Sequence, residues 1–186
     1  YQGIIPILNF NGASSSGESI VVTDATEIQN IWDGGGSFTA WFRAESDGGG
    51  DLGRLFWKAN GSQIFVRDES SSTTNLRFNV DFDSTDGGWI TTALEIAVNK
   101  WHHLVLVYDS DAVGNNPIFY IDNVAKTVGG GLTEASTPIG TRVSDASVNL
   151  VIGNIDDGSR TFDGDVAGGP LGPAICKTSL TADQVS

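Results

Sequence analysis

Apolar and polar residues alternate along much of the chain with the period of two that is typical of β-strands. In segment 100–109, the odd-numbered residues from Trp101 to Val107 face one way and the even-numbered residues from His102 to Tyr108 face the other. Both sets are largely apolar, which predicts a strand covered on both faces, as in a two-layer sandwich. Segment 118–123 is also extended and apolar, and the turn-forming residues 110–117 between the two segments predict a β-hairpin.

The same alternation recurs from end to end, with glycine-rich turns between the runs. Two short stretches, 24–30 and 179–185, have the composition of single helical turns. We therefore predict an all-β fold, a two-sheet antiparallel β-sandwich, formed by one domain over residues 1–186. The other predicted strands are Ile4–Phe10, Ser19–Val22, Ser37–Arg43, Arg54–Lys58, Gln63–Arg67, Leu76–Phe82, Trp89–Ile96, Val148–Ile152 and Ala174–Cys176.

The net charge of the chain limits the classes of partner that it is expected to bind. Ten basic residues against 23 acidic ones give a formal net charge of −13, which repels phosphate backbones and anionic lipid and argues against nucleic-acid or membrane-surface binding. No apolar run is long enough to insert in a membrane. The sequence begins with Tyr1 and contains no methionine, so we expect a processed or excised chain, and signal-peptide cleavage would imply export.

The order of short motifs resembles the laminin G-like form of the concanavalin A-like lectin/glucanase superfamily, which occurs in many secreted and phage proteins. The resemblance covers nearly the whole chain and implies a jelly-roll sandwich that acts in recognition on an extracellular, cell or virion surface. The motifs are Phe10-Asn11-Gly12, Gly36-Ser37-Phe38-Thr39, Trp101-His102-His103, Tyr120-Ile121-Asp122-Asn123, Ile152-Gly153-Asn154, Phe162-Asp163-Gly164 and the closing segment 178–185.

The resemblance also implies one structural calcium ion near the turn at residues 162–164. Calcium prefers several converging carboxylate and carbonyl oxygens, and Asp163 with Asp165 is the pair closest to that turn. In relatives the following strand carries a further acid, whereas this chain has residues 166–173 with two prolines, three glycines and no acid. Those residues are expected to interrupt the strand or move it to a sheet edge.

Catalytic chemistry has weaker support in the sequence. The glucanase branch carries a Glu-x-Asp-x-x-Glu strand, and this chain has no such run. Asn79, Asp81 and Asp83 alternate with apolar residues and would share one strand face, which is either a solvated surface or a glycosidase pair. His102 and His103 are neighbours on a strand, so they point to opposite faces and cannot bind one metal ion together.

Recognition of a sugar requires an aromatic platform beside hydrogen-bonding groups, because a pyranose has an apolar face and a rim of hydroxyls. Trp41 and Trp101 fall in strands that relatives place in the core, and Trp32 in a loop beneath one of them. Trp57 and Trp89 are the candidates, and Trp89 follows the polar loop with Asp83 and Asp86. The predicted ligand-binding residues are Trp89, Asp83, Asp86 and Trp57.

Three functions stay open at this point. The first is a non-enzymatic domain that binds a glycan or a surface protein through the loops at the rim of the sandwich. The second is a structural subunit, such as a virion decoration or extracellular filament protein, in which Tyr1–Pro6 and the sheet edges mediate self-assembly. The third is a glycoside hydrolase.

Overall fold

The computed structural model describes residues 5–13 and 17–185. Within these residues, fifteen strands and one short helix form the regular structure, with 3₁₀ turns at Thr26–Ile28, Gly49–Asp51 and Gly169–Leu171. The elements are β1 (Ile7–Asn11), β2 (Ile20–Val22), β3 (Gly36–Ala44), β4 (Arg54–Lys58), β5 (Ser62–Ser70), β6 (Thr73–Val80), β7 (Gly87–Thr91), β8 (Ile96–Ala97), β9 (His102–Tyr108), β10 (Ile118–Ile121), β11 (Val124–Val128), β12 (Gly131–Ser136), β13 (Leu150–Ile152), β14 (Asp163–Ala167), β15 (Ala174–Cys176) and α1 (Ala182–Val185).

The strands form two layers. The first sheet has the order β1-β14-β3-β9-β10-β11, and the second has the order β12-β7-β6-β5-β4-β13-β2. The layers join where β11 runs beside β12, the only parallel strand pair among the described residues, and all other paired strands are antiparallel. The opposite side stays open between β1 and β2, which end the two sheets. This arrangement confirms the predicted all-β jelly-roll sandwich.

Alternation places the core between the layers. In β3 the even-numbered residues from Phe38 to Ala44 are buried, while Trp41 and Arg43 point outward. In β6 the same pattern buries Leu76, Phe78 and Val80. Aromatic rings then cross the gap, as where Phe38 meets Phe56 edge to face with centroids 5.2 Å apart. The buried aromatic side chains make this interior the main source of hydrophobic stabilisation.

The outer face of the first sheet is covered in part. Leu180 and Val185 of the C-terminal segment pack on Val105, Val107 and Tyr120. The helical turn predicted over 179–185 therefore exists, shortened to α1, and the turn predicted over 24–30 is the 3₁₀ turn at Thr26–Ile28. No helix in the described part of the chain is long and apolar enough to cross a membrane.

The strand after Phe162 is interrupted, as expected, because Gly168 to Pro173 leave the sheet between β14 and β15. β14 lies between β1 and β3, and β15 returns to pair with β3. The sequence analysis missed β11 and β12, whose residues are mostly exposed and lack a clear apolar alternation.

Candidate functional site

A cleft of about 450 Å³ lies on the outer face of the second sheet, at the end where β13 pairs with β4 and β2. Trp57 forms its aromatic wall. The indole is half-buried and lies in register between Val151 of β13 and Gln63 of β5. We call this the Trp57 cleft, and its lining residues are Ser19, Val21, Trp57, Ala59, Ser147, Val148, Asn149, Val151 and Asp156.

Polar groups surround the indole. Ser19, Asn149 and Asp156 come from three separate segments and are all exposed. The Asn149 side-chain oxygen accepts a hydrogen bond from the backbone N–H of Asp24 at 3.0 Å, which fixes the amide in the cleft wall. The cleft therefore combines an aromatic surface with hydroxyl, amide and carboxylate groups, the mixture that a sugar ring requires.

A buried ammonium group holds the loop that forms one wall of this cleft. Lys58, which is 1% exposed, donates from Nζ to the backbone carbonyls of Asp145 and Val148, both at 2.8 Å. The Asp145 carboxylate lies 3.3 Å from the same Nζ, and its other oxygen pairs with Arg142. Because Lys58 follows Trp57 directly in β4, the indole and the loop 145–149 are positioned by one strand.

Trp89, by contrast, has no exposed surface. Its ring stacks on Phe78, packs against Tyr108, and donates from Nε1 to the side-chain oxygen of Asn116 at 2.7 Å. The prediction that Trp89 is an exposed platform is therefore wrong, because β7 pairs with β6 in a register that places Trp89 opposite the inward-facing Phe78.

Asp83 and Asp86 are exposed, and each binds a backbone N–H in the loops at the rim. Asp83 accepts from Thr141 at 3.0 Å, and Asp86 accepts from Phe82 at 3.0 Å. The Asp83 contact joins the loop after β6 to the loop after β12, whereas the Asp86 contact lies within the loop after β6. The structure does not bring the two acids together with Trp57, so the four predicted ligand-binding residues do not form one site.

The rim loops do enclose a second concavity, of about 470 Å³, beside Arg142. The Arg142 side chain is only 6% exposed and pairs with Asp33 and Asp145. The other lining groups are Phe82, Ser110, Asp111, Val113, Gly140, Thr141 and Ser144. Since these acids neutralise Arg142 and the aromatic residue of the lining, Phe82, is only 5% exposed, this pocket is a poorer match to a sugar than the Trp57 cleft.

Asp163 and Asp165 lie on the same face of β14, and each already accepts side-chain hydrogen bonds within the fold. Asp165, which is 7% exposed, accepts from Arg43 Nε at 2.8 Å and from Asn9 Nδ2 at 2.8 Å. Asp163 accepts from Ser46 Oγ at 2.6 Å. A guanidinium therefore occupies the position where a cation would neutralise Asp165. Across residues 5–13 and 17–185 no three acidic, histidine or cysteine side chains converge, so these residues do not fit a calcium site.

The carboxylates considered for catalysis do not share a strand face. β6 ends at Val80, so Asp81 and Asp83 lie in the following loop. Asp81 is half-buried, and its pKa is raised by burial and by the neighbouring Asp86, with Arg142 opposing the shift. Asn79 remains in the strand and accepts a hydrogen bond from Arg77 at 2.8 Å. No carboxylate pair in register on one strand is formed here.

The histidines occupy opposite faces of β9, as predicted. His102 contacts the Asp122 carboxylate through Nδ1 at 2.7 Å, and Nε2 lies near the backbone of Ala97. His103 lies 3.0 Å from Thr39 Oγ1 through Nε2. Both rings are thus held by hydrogen bonds within the fold.

Sequence reasoning missed the exposure of Trp41 and Trp101. They are 36% and 38% exposed and line a small apolar groove of about 280 Å³ on the outer face of the first sheet. The groove also contains Ile5, Ile7, Ala167 and Leu171. The alternation of β3 carried the signal for Trp41, which has the parity opposite to the buried Phe38, Ala40 and Phe42. Trp101 precedes β9, which buries residues of both parities, so alternation gave no signal for its exposure.

Comparison with known proteins agrees with this architecture. The laminin G model of the concanavalin A-like lectin/glucanases superfamily matches residues 15–186. A search against curated protein sequences finds no match. The chain covers 79% or more of each of the three solved structures described next, at identities that establish the fold alone.

The first is a heptameric SAP-like pentraxin from Limulus polyphemus, with a TM-score of 0.67 and 16% sequence identity, and the match covers 96% of this chain and 79% of that one. The second is domain 4 of a Geobacillus stearothermophilus extracellular arabinanase in complex with arabinotriose. Its TM-score is 0.58 and its sequence identity is 17%, and the match covers 98% of this chain and 80% of that one. The third is a sialidase carbohydrate-binding module from Ruminococcus gnavus bound to α2,3-sialyllactose. Its TM-score is 0.55 and its sequence identity is 10%, and the match covers 90% of this chain and 94% of that one.

Proposed function

Because the chain belongs to the laminin G-like family of the concanavalin A-like lectin/glucanase superfamily, we propose that it is a non-enzymatic domain that binds a glycan in the Trp57 cleft. The observation that carries this proposal is the half-buried indole of Trp57, walled by Ser19, Asn149 and Asp156. The indole supplies a face for the apolar side of a sugar ring, and the polar groups supply donors and acceptors for its hydroxyls.

Preorganisation supports the same proposal. The cleft wall at 145–149 is tied to Lys58 inside the sandwich, so little conformational entropy remains to be lost when a ligand binds. Two of the structurally similar domains are solved with oligosaccharides, arabinotriose in one and α2,3-sialyllactose in the other. The family and the acidic surface favour an extracellular or virion location, where the ligand is a surface glycan.

The test is a glycan array probed with labelled protein, followed by titration of the best ligand. Trp57→Ala is expected to weaken binding by at least about tenfold, equivalent to about 1.4 kcal/mol. Trp101→Ala is the matched control, because it removes an exposed indole on the other sheet and should leave affinity unchanged. Equal affinity of Trp57→Ala and the unmodified chain, or no glycan bound by a folded chain, would overturn the proposal.

The same protein and glycan also test the alternative that the chain is a glycosidase. Incubation of the array-selected glycan with the protein should leave the oligosaccharide length unchanged in mass spectrometry. Cleavage that disappears in Asp81→Asn would replace the binding proposal with an enzymatic one, since that carboxyl has the raised pKa that acid catalysis uses.

A further inference from the structure

The Trp57 cleft carries charge of one sign only. Among the nine described residues that line it, Asp156 is the only ionisable side chain, and none is lysine, arginine or histidine. The Asp156 carboxylate is exposed, and within residues 5–13 and 17–185 no hydrogen bond or ion pair engages it. This carboxylate is therefore free to meet a ligand in the cleft.

The basic side chains that neighbour the cleft in the sequence are directed elsewhere. Lys58 is buried, and its Nζ donates to backbone carbonyls of the loop 145–149 inside the sandwich. Arg160, in the same loop as Asp156, donates from Nη1 to the backbone carbonyl of Gly50 at 2.9 Å. An anionic ligand in the cleft would therefore meet the Asp156 carboxylate without a cation to offset it.

A buried amide fixes the segment that carries Asp156. Asn154 has no exposed surface, and its side-chain oxygen accepts a hydrogen bond from the backbone N–H of Arg160 at 3.0 Å. Its Nδ2 donates to the backbone carbonyl of Glu18 at 3.1 Å, directly before the lining residue Ser19. The same amide thus holds two walls of the cleft, so the carboxylate acts on a ligand from a preorganised position.

The surroundings add to the negative field of the cleft. Glu18 precedes Ser19, and Asp157 follows Asp156, so each acidic residue adjoins a lining residue in the sequence. The whole chain carries a net charge of −13. Such a field repels carboxylate, sulfate and phosphate groups and attracts an ammonium group.

We propose, on the basis of the glycan-binding function proposed above, that the Trp57 cleft selects sugars by their charge. Hexosamines with a free amine bind most tightly, neutral sugars bind less tightly, and sugars with carboxylate, sulfate or phosphate groups bind least. The indole of Trp57 meets the apolar face of the ring in each case. Asp156 pairs with the ammonium group and opposes an anionic one, which makes it the residue that determines specificity.

A glycan array at about pH 6, where the amines of hexosamines are protonated, tests this ranking. Each sugar backbone is presented as a neutral trisaccharide, as its amino form and as its uronate form. The amino form should bind at least about threefold more tightly than the neutral form, and this preference should vanish in about 1 M salt.

The two proposals fail in different ways on this array. A uronate form that binds as tightly as its neutral counterpart, and loses binding in Trp57→Ala, would refute selection by charge and leave the glycan-binding function intact. Absence of Trp57-dependent binding for every form would refute the glycan-binding function, and the charge selection with it.

Self-association would raise the apparent affinity on an array, because several copies would engage several glycans at once. The predicted self-assembly through Tyr1–Pro6 and the sheet edges stays a prediction, since residues 1–4 lie outside the described residues. Each affinity is therefore measured again by calorimetric titration with the free trisaccharides in solution. A ranking that appears on the array alone would mean that the array surface, and not the cleft, selects by charge.

Charge reversal tests the role of Asp156 itself. Asp156→Lys should reverse the ranking, so that the uronate form binds more tightly than the amino form. Glu69→Lys is the control, because it makes the same change in net charge at an exposed position near the end of β5. Glu69 lies six residues beyond Gln63, which pairs with Trp57, and this spacing corresponds to about 20 Å along the strand.

The Glu69→Lys variant should keep the original ranking, and circular dichroism of both variants reports that they fold. An unchanged ranking in folded Asp156→Lys would show that this carboxylate does not set the specificity. Equal reversal in both variants would assign the selection to the net charge of the chain and would likewise contradict the role proposed for Asp156.

Discussion

The indole of Trp41 stacks on the imidazole of His103, with ring centroids 4.9 Å apart and planes inclined by 20°. The two residues are direct neighbours across β3 and β9. Their pairing places a titratable ring under a partly exposed fluorophore. The stack therefore provides a built-in reporter of the protonation of one histidine.

We expect the fluorescence of Trp41 to fall as the pH drops below 6.5, because burial lowers the pKa of His103 and protonation then places a cation against the indole. The neutral form of His103 is favoured in the folded state. The stability that neutral His103 contributes is therefore fully present above pH 6.5, and it is lost as the pH falls from that value toward the lower pKa of His103 in the folded protein. His103→Gln should remove the quenching transition, and a transition that persists in this variant would assign it to another group.

Replacement of the buried ammonium should be costly. Lys58→Met leaves the carbonyls of Asp145 and Val148 without their donor, and we expect a loss of about 3–5 kcal/mol in the free energy of unfolding measured in urea. Lys126→Met is the control, because the Lys126–Glu95 pair is partly exposed and should be worth less than about 1 kcal/mol. Similar losses in the two variants would mean that the Lys58 contacts do not anchor the cleft wall.

Asp81→Asn should stabilise the protein at neutral pH. The raised pKa of Asp81, caused first by burial and then by Asp86, means that ionisation is less favourable in the folded state than in the unfolded one. Stability is therefore lost as the pH rises from 3.8 through the pKa of the folded state, and the amide avoids that loss. We expect a gain below about 1 kcal/mol, because water screens this half-exposed carboxyl.

Asp83→Asn provides the comparison for this prediction. Asp83 is exposed and accepts a hydrogen bond from Thr141, so its neutralisation should bring no gain at pH 7. The two variants are compared by urea unfolding at neutral pH and again below the pH at which both carboxyls are protonated. A gain for Asp81→Asn that persists at acidic pH would contradict the electrostatic explanation.

Stability should not depend on calcium. Arg43 neutralises Asp165, so a chelator and an excess of calcium should give the same thermal midpoint by calorimetry. Arg43→Met should lower the free energy of unfolding by about 1–3 kcal/mol, since it leaves a nearly buried carboxylate without its partner. Arg67→Met, which breaks the exposed pair with Asp68, is the control for a general loss of charge. A thermal midpoint that rises with calcium would instead support the predicted calcium site at Asp163 and Asp165.

Much of the architecture could be predicted from alternation, because burial on one side of a strand fixes the parity of its residues. Strands such as β4 and β15 have the predicted bounds. Alternation does not predict which residues of two strands pair, however, and this pairing determines that Trp89 is buried. The sequence around Trp89 does not show that Phe78 lies opposite it.

The candidate site shows the same limit. Trp57 could be selected from the sequence, but Ser19, Asn149 and Asp156 could not, because they reach it only when β13 inserts between β4 and β2. The exposure of Trp41 could have been predicted, since parity alone places it opposite the buried residues of β3. The exposure of Trp101 could not, because β9 buries residues of both parities, including Val105 and Val107. The assignment of Trp41 to the core followed the resemblance instead of the alternation.

The insertion of β14 between β1 and β3 pairs segments that are far apart in the sequence. Ile7 pairs with Ala167, and Ser37 pairs with Cys176, so neither contact can form until the later residue of each pair has left the ribosome. Such a high contact order slows folding and leaves β1 without a partner and one side of β3 unpaired during synthesis. A truncation that removes β14 and β15 should therefore yield aggregates instead of a smaller folded protein.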